Sequence, residues 1–180
     1  MDWGRVAKRI RVPLGFLFAA LFLCLARPQW WSLGAGSAIV LAGVWLRAIA
    51  SGHVRKNEEL ATSGPYAYTR NPLYFGSIVI ALGFALAALR WEIAVALVIL
   101  FAAIYLPVIR GEEQFLRQHF PAYAEYCARV PRLLPRLRPS QQGSAQFSPQ
   151  LYYKHREYNA LLGALAVISA LAAKKIWMAR

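Results

Sequence analysis

The apolar residues of this chain fall into five runs, near residues 12–26, 33–50, 73–89, 91–109 and 158–175, with most of the charges between them. Such runs restrict the fold severely. Inside hydrocarbon every backbone N–H and C=O has to find its partner within the same segment, which here leaves helices. A soluble domain is no substitute, because 58% hydrophobic residues with 16% charged is too apolar for an ordinary fold of 180 residues. Several runs fall short of the roughly 20 residues that cross a bilayer core, so they borrow flanking positions whose charges snorkel, such as Arg11, Arg27 and Arg47. The expected fold is an all-α integral membrane protein, one domain over residues 1–180, with a bundle of about five transmembrane helices.

The first run follows Arg5, Lys8, Arg9 and Arg11 and so imitates a secretion signal. Its end, Cys24-Leu25-Ala26-Arg27-Pro28, offers no small-x-small cleavage site, and the second run comes after a short turn. The two therefore form a hairpin with Pro28, Trp30 and Trp31 at its interfacial tip. A net charge of +13 brings nucleic acid to mind, but the basic residues sort by membrane side. With the N-terminus cytoplasmic, sixteen of the 21 Lys and Arg lie inside and five, Arg27, Arg90, Lys174, Lys175 and Arg180, lie outside. That gives a multi-pass protein with a cytoplasmic N-terminus, an external C-terminus and no nucleic-acid partner. Lys174 and Lys175 are the exceptions, and a re-entrant last helix would put them inside. Cys24 and Cys127 fall at different levels, which argues against a disulfide and makes both spectator thiols. His53, His119 and His155 are scattered without metal-ligand spacing, so no metal is expected.

On this topology the chemically varied residues gather on the cytoplasmic face. In Gly64-Pro65-Tyr66-Ala67-Tyr68-Thr69-Arg70-Asn71-Pro72-Leu73-Tyr74-Phe75-Gly76 the two prolines fix φ and push Gly64 and Asn71 out of helical geometry. The segment reads as a shaped loop with a helix starting near Pro72, and its cation and aromatic faces suit a polar small molecule. The plainer alternative is a loop whose tyrosines are interfacial anchors. A second constellation, within residues 110–135, comprises Arg110-Gly111-Glu112-Glu113, Tyr123-Ala124-Glu125-Tyr126 and Arg129-Val130-Pro131. Adjacent carboxylates on a helix point about 100° apart, so at most one of Glu112 and Glu113 aims inward; the plainer reading has both solvated and paired with Arg110 or Arg117, and Glu58-Glu59 is a competing pair. The fourth helix is expected to continue past the membrane with a break at Pro121, turning Phe115, Leu116, Tyr123 and Tyr126 to the bundle. Residues 131–139, with three prolines and alternating Leu and Arg, suit a strap along anionic headgroups. Residues 140–149 read as a linker.

Together the two constellations resemble the membrane methyltransferases typified by isoprenylcysteine carboxyl methyltransferase and the phospholipid N-methyltransferases. The likeness runs from about Leu41 to Pro135 and is most specific at Gly-Pro-Tyr-x-x-x-Arg-Asn-Pro-x-Tyr-x-Gly, residues 64–76. Asn71 stands where the family usually has His, which keeps hydrogen bonding and loses protonation. The resemblance implies S-adenosylmethionine as cofactor, held on the cytoplasmic face by Gly64, Tyr66, Arg70, Asn71, Pro72, Tyr74, Glu112 and Glu113. Arg70 would meet the cofactor's carboxylate and Glu112 or Glu113 its ammonium, while Tyr66, Tyr68 and Tyr74 would stack on adenine or face the sulfonium. Arg110 and Arg129 are the implied grips on a lipid-like acceptor entering from the membrane. A carboxylate or thiol acceptor is favoured, since an amine has to lose a proton and no His is placed to take it.

Two other readings carry different tests. A membrane reductase of the sterol type has a similar Arg-x-Pro-x-Tyr-x-Gly signature and binds NADPH, although such enzymes tend to place Glu where Ser77 stands here. A non-catalytic scaffold would keep lipid binding and lose the cofactor.

Overall fold

The computed structural model describes Gly15 and residues 18–55, 58–140 and 146–179, and among them the regular elements are all helical. Residues 18–25 form α1. After a short turn come α2 (Trp30–Ser51), a single 3-10 turn (Gly64–Ala67) and α3 (Pro72–Ala88). One unbroken helical column follows, made of α4 (Trp91–Leu100), a π-helical turn (Phe101–Tyr105) and α5 (Leu106–His119); α6 (Tyr123–Arg129), α7 (Pro149–Lys154) and α8 (Tyr158–Met178) complete the chain.

Three helices, Trp30–Ser51, Trp91–His119 and Tyr158–Met178, are long and apolar enough to cross a membrane. At 17 residues α3 sits at the lower limit of a span. The expected first span lies partly outside the described residues. Large apolar side chains such as Trp45, Leu82, Val98 and Ile99 face outward, the surface a bilayer covers and water does not. The chain is an all-α membrane protein.

What holds the bundle is close backbone approach. A Cβ built on Gly36 would lie 2.5 Å from the Gly83 carbonyl oxygen, and one on Gly43 would lie 2.9 Å from that of Gly76. Gly36 and Gly43 are about two turns apart, as are Gly76 and Gly83, so α2 and α3 pack antiparallel along a seam of small residues. Val40 and Val44 on α2 pack with Ala164 on α8, and Phe22, Leu33, Ala87, Ile93 and Leu171 form the core at the other end.

The last helix runs the full height of α2. At its end Lys174 Nζ donates to the carbonyls of Leu23 and Cys24 at 2.6 and 2.8 Å, and Lys175 Nζ donates to Gln29 Oε1 at 3.0 Å. Lys174 thus satisfies carbonyls left open at the end of α1 and Lys175 the side-chain oxygen of Gln29, which gives partners to two cations that the charge asymmetry alone could not place. At the other end Glu157 pairs with Arg47. Arg47 is thus no outward-snorkelling anchor, as the sequence had suggested. It turns into the bundle, where Nη1 also donates to Ser77 Oγ at 2.6 Å and to the Leu73 carbonyl at 3.1 Å. Gly76 makes room for it, since a Cβ there would lie 2.5 Å from Arg47 Cγ.

The π-helical turn has a local cause. Pro107 has no N–H to offer the preceding turn, and its ring crowds the carbonyl four residues back, so the column widens before it. Beyond the bundle, α5 ends at His119 and the chain breaks at Phe120-Pro121 before α6. Tyr123, Tyr126 and Val130 form a small core there with Leu60, Leu116, Phe120 and Cys127. Phe115 departs from expectation. It is exposed and stacks on His119 with ring centroids 3.9 Å apart, one turn along the same helix. The later part of the 140–149 stretch is no free spacer: Phe147 lies against His53, with ring centroids 6.2 Å apart, and the Ser148 N–H donates to the Gly52 carbonyl at 2.9 Å.

Candidate functional site

The loop before α3 is shaped by its glycine and prolines. Gly64 adopts φ +56°, and a side chain there would collide with the His53 ring. Pro65 opens the 3-10 turn, and Tyr66 is buried with its carbonyl accepting from the Tyr126 hydroxyl at 2.8 Å. Pro72, also buried, opens α3. The loop then receives the 131–140 strap along its length. Arg70 N–H donates to the Pro131 carbonyl at 2.9 Å, Arg136 N–H to Tyr68 at 3.0 Å and Ser140 N–H to Ala67 at 3.0 Å, while Thr69 Oγ1 donates to the Leu133 carbonyl at 2.9 Å.

This pairing brings two arginines onto one carboxylate. Arg132 Nε and Nη2 both lie 2.9 Å from Glu113 Oε2, and Arg70 Nη2 lies 3.5 Å from Oε1. Asn71 Nδ2 bridges the group, donating to the Arg132 carbonyl at 2.8 Å and, more weakly, to Glu113 Oε1 at 3.4 Å. Arg70 Nη1 donates to Cys127 Sγ, so that thiol is no spectator. Among the described residues Arg70 Nε is buried without a partner, as is the Tyr123 hydroxyl.

Burial works against the charge on Arg70, but Glu113, with Cys127 and Tyr123, more than offsets it and holds its pKa above the usual arginine value. Burial pushes the Tyr66 phenol well above the ordinary tyrosine range, helped by Tyr126 and Glu112. Tyr123 and Tyr126 are raised by burial as well. All three phenols are neutral donors at physiological pH.

Of the two helical carboxylates, Glu113 is the buried one and Glu112 is exposed. Glu112 nevertheless faces a cavity of about 140 Å³ that Tyr66, Arg70, Tyr126, Arg55 and Glu59 also line. Other expected residues point elsewhere. Tyr74 meets Tyr105 edge to face, with ring centroids 5.8 Å apart. Arg110 is exposed, and Arg129 is exposed and pairs with Glu125 at 3.0 Å. Sequence reasoning missed Arg132, Cys127 and Arg47. For Arg132 the available signal was a third basic residue inside the same motif, directly after Arg129-Val130-Pro131.

A second recess is apolar. A groove of about 340 Å³ runs between α3 and α4, lined by the small side chains Ala81, Ala85, Ala94 and Ala102 with Phe101, and Leu133 of the strap also borders it. Among the described residues no three of His, Cys, Asp or Glu lie close enough to hold a metal ion.

The chain is 36% identical over 136 residues to the cobalt-zinc-cadmium resistance protein CzcN of Cupriavidus metallidurans, covering 71% of this chain and 62% of that one. It is 37% identical over 94 residues to the nickel-cobalt-cadmium resistance protein NccN of Alcaligenes xylosoxydans xylosoxydans, covering 52% and 43%. The chain therefore spans less than two thirds of either relative. No solved structure matches it. Residues 37–123 match the phospholipid methyltransferase family, a stretch that takes in α2 from Ser37 onward, the 64–76 loop, α3 and the α4–α5 column with Glu112 and Glu113. Over residues 37–123, just under half of its length, the chain is thus similar to the phospholipid methyltransferase family.

Proposed function

We propose that the protein transfers a methyl group from S-adenosylmethionine to a lipid-like acceptor embedded in the membrane, at a site on the cytoplasmic face. The observation that carries this reading is the cavity in which Arg70, with a buried and unpartnered Nε, stands with Tyr66 and Glu112. A guanidinium and a carboxylate across one small recess suit the zwitterionic amino-acid end of the cofactor. At about 140 Å³ the cavity is below the roughly 300–1,000 Å³ of whole-ligand sites, so it fits that end alone.

When bound, the cofactor supplies an electrophilic methyl on a sulfonium that leaves readily. The work left to the chain is orientation and exclusion of water. Arg70 meets the cofactor's carboxylate and Glu112 its ammonium, while Glu113 and Cys127 hold Arg70 in place. Tyr66 and Tyr126, kept neutral by burial, wall the recess. The groove between α3 and α4 has room for an acyl or isoprenoid chain, which reaches it laterally from the bilayer. Arg132 lies between groove-lining Leu133 and Glu113, a better position for meeting an anionic acceptor head than exposed Arg110 or Arg129. A carboxylate or thiol is the acceptor class that this donor set serves without a general base. By the charge asymmetry the bundle crosses the membrane five times with its N-terminus in the cytoplasm.

The test is a thermal shift of the purified protein with S-adenosylmethionine, S-adenosylhomocysteine or NADPH, followed by mass analysis of co-extracted lipids. Stabilisation by the two adenosyl compounds with a one-methylene mass gain on a lipid is the expected result. Stabilisation by NADPH instead would make the protein a reductase. Lipid retention without either cofactor would make it a scaffold.

A further inference from the structure

We propose that the strap over residues 131–139 is a docking surface for anionic lipid headgroups beside the bundle. Pro131, Pro135 and Pro139 deny it regular structure, yet it is not loose. Main-chain bonds from Arg70 to Pro131 and from Arg136 to Tyr68 fix it to the 64–76 loop, and Asn71 Nδ2 and Thr69 Oγ1 hold the carbonyls of Arg132 and Leu133. A ribbon held this firmly by its backbone presents its side chains in fixed directions.

Those side chains are wrong for water and right for a bilayer surface. Leu134 is 73% exposed and Leu137 98%, with none of the described residues covering them. Leu133, beside them, borders the apolar groove together with Ile78, Phe101 and Ala102. That neighbour sets one end of the ribbon against the outward-facing apolar side chains of α3 and the Trp91–His119 column. Four arginines lie along or beside it, of which Arg129 is paired with Glu125 and Arg132 with Glu113. Arg136 and Arg138 are exposed and have no acidic partner among the described residues. Arg136 Nη1 donates to the Arg129 carbonyl at 2.6 Å, which fixes its direction and leaves its charge unpaired by any described carboxylate; leucines entering the acyl boundary, with such guanidinium groups at phosphate level, are the two components of anionic interfacial binding. An acidic protein partner would match the charge. It would not account for a strap set at the edge of a lipid-facing groove.

The test is independent of any methyl transfer. Leu137→Cys, made in a Cys24→Ser background and labelled with an environment-sensitive fluorophore, is placed in nanodiscs of phosphatidylcholine alone or mixed with phosphatidylglycerol. The labelled parent carrying Leu137 serves as blank. Blue-shifted, brighter emission is expected in the mixed discs, lost at high salt. Each arginine near an anionic surface contributes about fivefold to the docking equilibrium constant, so Arg136→Gln with Arg138→Gln lowers that constant by about 25-fold. Emission that is the same in both lipids, or that keeps its lipid dependence in the double variant, would overturn the proposal.

Discussion

Arg132 sets both Nε and Nη2 at 2.9 Å from one oxygen of Glu113, while Arg70 approaches the other oxygen at 3.5 Å. One carboxylate thus separates two guanidinium groups that would otherwise repel across a partly buried space. Arg70 is the more deeply placed, with 12% of its side chain exposed against 51% for Arg132. Losing Glu113 would therefore harm Arg70 more.

Glu112 and Glu113 should consequently separate in their effects. Glu113→Gln leaves two cations without their shared partner and is expected to destabilise the protein by about 2–4 kcal/mol, the lower part of the buried-pair range because Arg132 is half exposed. Glu112→Gln should leave the melting temperature in place and weaken S-adenosylhomocysteine binding. Thermal unfolding in detergent and isothermal calorimetry on both variants check this. Equal melting temperatures would sink the assignment.

Arg70→Lys keeps the charge and loses the planar fork that reaches Cys127 and Glu113 together. Cofactor affinity is expected to fall at least about 30-fold, the lower end for breaking a buried charge contact. Calorimetry with S-adenosylhomocysteine measures it, with circular dichroism as the control for folding. Near-normal affinity would leave Arg70 a structural group only.

Gly83→Ala tests the seam. Its new methyl would lie 2.7 Å from the Gly36 carbonyl and from Val40 N, backbone atoms that cannot swing aside. Overpacking of this kind costs about 1–3 kcal/mol or more. Gly34→Ala on α2, where a Cβ meets nothing within 4 Å, is the matched control and should unfold like the parent.

The three buried phenols give the fold an alkaline limit. Tyr66, Tyr123 and Tyr126 ionise above the ordinary value of 10.0, so above that pH the native protein holds protons that the unfolded chain has given up. Their contribution is complete below pH 10 and is lost as pH rises beyond it. In an absorbance titration, three of the nine tyrosines should stay neutral at about pH 11 and ionise only when the protein unfolds.

The helices were legible because hydropathy needs no partner to be read, and the start of α3 because Asn71-Pro72 excludes helix before it and favours helix after it. Which way a lone cation turns was not legible. Arg47 at the end of an apolar run looks the same whether it seeks headgroups or, as here, Glu157, which lies 110 residues further along the chain. Arg132 was hidden for a similar reason, since its direction follows from backbone bonds between the strap and a loop distant in sequence. The inward turn of Glu113 over Glu112 needed the helix phase, which an imperfect period left open. The widened turn before Pro107 had a visible cause in the proline alone.

The glycine seam between α2 and α3 also decides where this protein can yield. Two helices interlocked at Gly36–Gly83 and Gly43–Gly76 cannot slide by less than a full repeat without forcing side chains into backbone, so they form a fixed post carrying the 64–76 loop. The column from Trp91 to His119 has no such lock on α3. It has instead a loosened π-helical turn at mid-height, lying on the apolar groove. Of the two walls of the apolar groove, α3, locked to α2 by its glycines, is therefore the rigid one, and α4, running into the π-helical turn at Phe101–Tyr105, is the wall that no glycine contact pins.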